Sequence, residues 1–206
     1  LGSVWSSLRK LLESLTEEQW SAPTALPGWD VRAVVAHVIG TERMLMGDAP
    51  DVGFDRETDG TSAPHVRNDI GAMNEAWVRT LTRLSTEELL AEFDRVTEAR
   101  LTALREMSQA EWDAESFTPA GPDAFGRFMQ IRVFDCWFHE QDIRAAIGRP
   151  GHTAGQAVAV TLDEVTTALG FVVGKRAGAP QGTTVSFELT GSSGRTILVE
   201  VADRAQ

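Results

Sequence analysis

Residues 31–46, VRAVVAHVIGTERMLM, are apolar on nearly every side of a helix. Such a helix belongs in an interior, so the rest of the chain has to cover it. Asp30 just before it has the chemistry of an N-cap, and Trp29 is placed to staple onto Val34. Helical spacing recurs through Val4, Trp5, Leu8, Leu12 and Leu15 (3–15), and through Ile70, Met73, Trp77, Leu81 and Leu84 (66–84). It returns in Leu89, Leu90, Phe93, Leu101 and Leu104 (86–107), with Ser85 or Thr86 as the cap. TEEQ at 16–19 fits a capping box and opens a short turn ending at Trp20. Between these lie a proline and glycine loop (SAPTALPGW) and an acidic, turn-rich segment, 47–65. The second reads as a long surface loop and a candidate lid. SFTPAGPDAFGR, 116–127, reads as another loop.

The next helix raises a question of charge. In RVFDCWFHEQDIRAAIGRP, 132–150, most residues are apolar, yet Asp135, His139 and Asp142 share one stripe at i, i+4 and i+7. Burying charge without compensation is expensive. His37 raises the same problem in the buried helix 31–46. Three ligands from two facing helices can hold one ion in a bundle core, and two imidazoles with a carboxylate suit a divalent metal that keeps open positions. Asp142 then either ligates or orients His139, or pairs locally with Arg144 or the Glu42–Arg43 region. Arg132 is placed for a salt bridge or an anionic substrate. The plainer reading is a hydrogen-bonded core histidine beside an Asp–His contact one turn apart. Cys136 reads as a packed thiol. His65 and His152 read as solvated loop residues.

LTEEQWSAPT (15–24) weakly echoes MSQAEWDAES (107–116), each preceding a loop and a buried helix. This suggests two similar helical pairs that face each other. After 150 the character changes. Residues 155–178 read as one more helix, and 183–203 alternate around a Gly-Ser turn as a β-hairpin. A lone hairpin is marginal, so it packs on that helix or joins strands beyond Gln206. The expected division is therefore 1–150 and 151–206.

With 206 residues there is room for a full core. A net charge of −11 with scattered Lys and Arg argues against nucleic acid and anionic membranes. No run of about 18 apolar residues suggests a membrane span, and no secretory signal is visible. One cysteine excludes an internal disulfide and fits a reducing, cytoplasmic setting. The chain begins at Leu1 rather than Met, which reads as a missing true N-terminus. The sequence assigns no oligomeric state.

LPGWDVRAVVAHVIGTE (26–42) resembles the G-W-[ST]-V-[RK]-D-x-x-A-H-[LV]-x-x-x-E block of the mycothiol-dependent maleylpyruvate isomerase family. Residues 132–150 resemble that family's second block, R-x-x-E-x-x-x-H-x-x-D-[LI]-R-x-A-x-G. The resemblance implies a mainly α protein: a DinB-like, metal-binding four-helix bundle over 1–150, followed by the start of a small α+β C-terminal domain. It implies a divalent metal, usually zinc, on His37, Asp135 and His139, with Arg132, Asp142 and Arg144 toward substrate or supporting the ligands. Asp135 departs from the family's Glu and is one methylene shorter. The implied cosubstrate is a small-molecule thiol, mycothiol, the thiol of actinobacteria. Activated on the metal, it adds to an electrophile, giving S-transfer or cis–trans isomerisation of a maleylpyruvate-like substrate. A metal-dependent hydrolase and a non-catalytic ligand-binding bundle are the competing readings.

Overall fold

The structure, a computed structural model, describes residues 1–60 and 63–202. It is mainly α, with two small antiparallel hairpins. The chain divides into two compact units. One comprises residues 2–109 and 138–150; the other comprises 110–137 and 151 onward.

The first unit is a helical bundle. Its helices are α1 (Gly2–Leu12), the short α2 (Glu17–Trp20), α3 (Val31–Leu45), the short α4 (Arg56–Asp59), α5 (Asp69–Leu81) and α6 (Thr86–Glu106). The short α7 (Gln109–Asp113) follows α6 in the chain, and the C-terminal part of α8 (Phe125–Ala146) completes the bundle. Local chemistry sets the helix starts. Asp30 Oδ1 accepts the Ala33 N–H at 2.8 Å, Asn68 caps α5, and reciprocal capping boxes open α2 at Thr16/Gln19 and α6 at Ser85/Glu88. As expected from its pattern, α3 is the core: Val31 and every residue from Ala33 to Glu42 are buried. It packs on α5 and α6, and α1 packs on α6. Gly40 makes the α3–α5 approach possible, because a Cβ there would lie 2.5 Å from Trp77 Cβ. The end of α8 is tied to α1: Ser7 donates to Glu140 at 2.7 Å, and Arg149 donates to Ser14 at 2.8 Å.

The second unit departs from expectation in several places. The segment 116–127 is not a plain loop. β1 (Glu115–Thr118) and β2 (Gly121–Ala124) form a tight hairpin, in which Thr118 Oγ1 donates to the Gly121 carbonyl and accepts the Ala120 N–H. Its strands are too short, and too interrupted by Gly121 and Pro122, to show alternation. Helix α8 follows at once, two turns before Arg132, and Gly126 lets it start against the Trp112 ring. The hairpin 184–200 forms as expected: β3 (Thr184–Leu189) pairs with β4 (Arg195–Glu200), with Val185 opposite Val199 and Phe187 opposite Ile197. Its apolar face packs on Leu169 and Val173.

Those two residues belong to a helix more apolar than expected. Helix α9 (Gln156–Phe171) continues into a π-helical turn, Val172–Arg176. The 21 residues 156–176 are long and apolar enough to cross a membrane by length and composition, with a mean hydropathy of 1.5 in the most apolar window. Thr, Asp163 and Glu164 interrupt the apolar run, so the segment does not show as a continuous stretch; averaging reveals it. Both carboxylates are engaged: Arg195 reaches Asp163 at 2.6 Å, and Arg127 reaches Glu164 at 2.7 Å. Phe171 and Val172 are exposed.

Candidate metal centre

Two polar groupings reach α3, one through Glu42 and one through His37, and they are built differently. In one, each carboxylate is closed onto a cation. Glu42 on α3, fully buried, accepts from Arg100 Nε on α6 at 2.8 Å. Glu140 on α8, also fully buried, accepts from Arg144 at 2.8 Å and from Ser7. These are structural pairs, formed because an uncompensated buried carboxylate is costly.

In the other, rings face rings. His37 on α3 and His139 on α8 meet edge to face, with centroids 4.8 Å apart. The indole of Trp29 lies against both, 5.1 Å from His37 and 6.4 Å from His139. His37 is buried at 5% exposure, deep enough that water does not solvate it freely. Nδ1 of His139 is 3.2 Å from Asp142 Oδ2. A carboxylate on Nδ1 fixes the ring orientation and directs ligation to Nε2. Asp135 lies one turn before His139 on α8 and is ion-paired with Arg132, whose other arm reaches Cys136 Sγ at 3.3 Å.

One ligand atom from each of His37, Asp135 and His139 lies within 4.8 Å of the other two. Two ligands each about 2 Å from one ion are at most about 4 Å apart, so small side-chain rotations suffice. Two neutral nitrogens and one carboxylate, with a second carboxylate behind a histidine, are a donor set suited to a divalent ion.

Other expected residues fall elsewhere. Asp142 meets His139 rather than Arg144, and Arg144 is engaged by Glu140, Ser7 and the Arg149 carbonyl. Cys136 is fully buried, as a packed thiol should be. His65 is not a solvated loop residue: its Nε2 is 3.2 Å from Glu75 Oε2, and its ring sits against Gly28. Trp29 and Glu75 escaped the sequence reading as site residues. Trp29 sits in the quoted PGW motif, which was the available signal; Glu75 offered none. Trp29 also borders a cleft of about 540 Å³, whose walls include Thr24, Arg32, Glu75 and Arg79.

The fold and this cluster define a helical protein with a His/Asp/His grouping contributed by α3 and α8. A family profile described as the mycothiol maleylpyruvate isomerase N-terminal domain matches residues 1–144, and the chain belongs to that family. Two curated relatives, both called uncharacterized proteins, come from Mycobacterium tuberculosis strains CDC 1551 and H37Rv. Each is 29% identical over 203 residues, covering 97% of this chain and 74% of the relative. Among solved structures, the mycothiol-dependent maleylpyruvate isomerase matches with a TM-score of 0.64 at 17% identity, over 97% of this chain and 76% of that one. A histidine-to-alanine mutant of that isomerase matches with a TM-score of 0.60 at 16% identity, over the same shares. At these identities the structures speak for the fold.

Proposed function

We propose that the chain is a mycothiol-dependent metalloenzyme in which His37, Asp135 and His139 hold a divalent metal, zinc in the simplest case. The convergence of those three ligand atoms, in a chain of this family, is the observation that carries the reading. A divalent ion bound there would favour the thiolate form of a coordinated thiol at neutral pH. The chain's own thiol is packed inside α8, so the reacting thiol comes from a cosubstrate.

The residues around the ligands have separable tasks. Asp142 holds the His139 ring in one orientation, and Arg132 matches the charge of Asp135. Trp29 covers both imidazoles and keeps bulk water from one side. Arg144, engaged within the bundle, supports the helix that carries His139. The cleft beside Trp29 has a volume within the usual range for a small-molecule site.

Cis–trans isomerisation of a maleylpyruvate-like substrate is the reaction that the solved relatives' names support. The thiolate would add to the double bond, allow rotation about the resulting single bond, and leave. S-transfer to another electrophile shares the addition and omits the departure. In this reading the helices before residue 150 carry the metal, and the helix and hairpin after it belong to an α+β C-terminal domain. The protein works in the cytoplasm on small molecules, with neither nucleic acid nor membrane as partner. The paired carboxylates of α9 favour water over lipid around that helix.

Metal content tests the reading directly. By inductively coupled plasma mass spectrometry, wild type should carry about one equivalent of a divalent metal and His37→Ala should carry almost none. The metal-loaded protein should act on maleylpyruvate only with mycothiol present. Turnover without thiol would point to a metal-bound water and a hydrolase. No metal after reconstitution with zinc, nickel, manganese and iron would end the catalytic proposal.

A further inference from the structure

The indole beside the two histidines is held from behind. Trp29 Nε1–H donates to Glu75 Oε2 at 3.1 Å. The same oxygen is 3.2 Å from His65 Nε2; a carboxylate accepts, so that nitrogen carries the proton. Arg79, one turn on along α5, approaches Oε1 at 3.6 Å. Glu75 is 9% exposed, so its bonds operate at low effective dielectric, where they count for more than at the surface.

The backbone fits the same arrangement. The His65 ring is seated on Gly28, the residue before Trp29. A Cβ on Gly28 would lie 2.6 Å from His65 Cε1, and Gly28 has a φ of +83° that a side chain would strain. One carboxylate oxygen therefore joins a ring from the segment after α4 to the indole that covers His37 and His139. The three residues come from three separate elements, so the convergence does not follow from any one helix's periodicity.

We propose that Glu75, secured by His65, is a positioning residue: it fixes the Trp29 indole against His37 and His139 and so holds the two imidazoles in ligating orientation. The inference rests on the metal reading for its consequence, while its geometry can be tested without metal. A Trp29 free to rotate would leave His37 room to change rotamer, and metal affinity would fall. Supporting residues around ligands typically contribute about 10–100-fold.

The test uses the full chain. Six tryptophans give six indole N–H signals in a ¹⁵N-labelled sample, and Trp29→Phe assigns the one needed. In metal-free Glu75→Ala, the Trp29 indole signal should move and its NOE contacts to His37 should be lost, with far-ultraviolet circular dichroism unchanged. Glu75→Gln, which keeps an acceptor, should largely restore both. Zinc affinity, measured by competition with a chromophoric chelator, should fall about 10–100-fold in Glu75→Ala and recover in Glu75→Gln. If Glu75→Ala does not fold, His65→Ala decides: a displaced Trp29 signal with weakened zinc binding supports the proposal, and an unmoved signal overturns it. An unchanged Trp29 signal and NOE pattern in folded Glu75→Ala also overturns it, as does a displaced indole with wild-type zinc affinity. Wild type that binds no zinc would instead mark failure of the metal reading, with the indole geometry left standing.

Discussion

Glu42 and His37 sit five residues apart on the same helix, yet their surroundings follow opposite plans. Glu42 is closed onto Arg100, and the pair is sealed between α3 and α6 at 0% and 3% exposure. His37 faces a second histidine and an indole, with Asp135 and Asp142 arranged around the same ring pair. An ion pair spends its charges on each other; a converging set of ligands keeps donors for a guest. Burial alone therefore does not distinguish structural from functional polar groups. The partner does.

The largest effect expected from breaking this contrast lies on the structural side. Arg100→Ala should destabilise the bundle by about 3–5 kcal/mol, since it removes the cation that compensates a fully buried carboxylate. Chemical denaturation measures this. Replacing both partners with apolar residues, Glu42→Leu with Arg100→Met, should recover most of the loss and leave metal content at the wild-type level. If the double variant lost its metal, the division between the two groupings would be wrong.

A smaller effect should couple the two regions. Gly40 lies between Glu42 and His37 on α3, and Gly40→Ala would drive a methyl against Trp77. Trp77 is nearly fully buried and its ring also carries Arg43 at 5.0 Å, so it has little room to yield. A cost of about 1–3 kcal/mol follows. Unlike the double variant, this one pushes α3 away from α5, the helices that carry His37 and Glu75. Metal affinity should fall with stability, and isothermal titration beside denaturation would show both.

Much of the bundle was legible because its signals are local. Asp30, Thr16 and Ser85 cap where capping chemistry places them, and the all-apolar face of α3 demanded burial. His37, Asp135 and His139 were legible for a related reason: one pair shares a helical stripe, and the third is a polar residue in an apolar helix. The β1–β2 hairpin was not, since four-residue strands broken by Gly121 and Pro122 carry almost no periodicity. Helix α9 hid its hydropathy behind two acidic residues whose partners, Arg127 and Arg195, come from elsewhere in the chain. Trp29, Glu75 and His65 belong to three elements that no spacing rule relates. The family motif ending at Glu42 shows the reverse case: a motif carboxylate proves structural, closed onto an arginine 58 residues away.

The smallest prediction sharpens the contrast by acting far from both groupings. The carboxyl of Glu88 is held below the ordinary glutamate range, first by the Ser85 backbone N–H and then by the Ser85 hydroxyl. A group with a depressed folded pKa contributes stability above its unfolded pKa and loses it as pH falls through the folded value. Glu88→Gln should therefore lower the Tm slightly near neutrality, and the two melting curves should converge as the solution is acidified below the glutamate range. The side chain is exposed, so salt should shrink the charged part of the difference. Metal content should not change at any pH where the wild type holds its metal, because the cap lies at the start of α6 and supplies no ligand. A pH-dependent loss of metal in Glu88→Gln alone would mean that the α6 cap reaches the histidine cluster through the helix, and that the two plans on α3 are not independent.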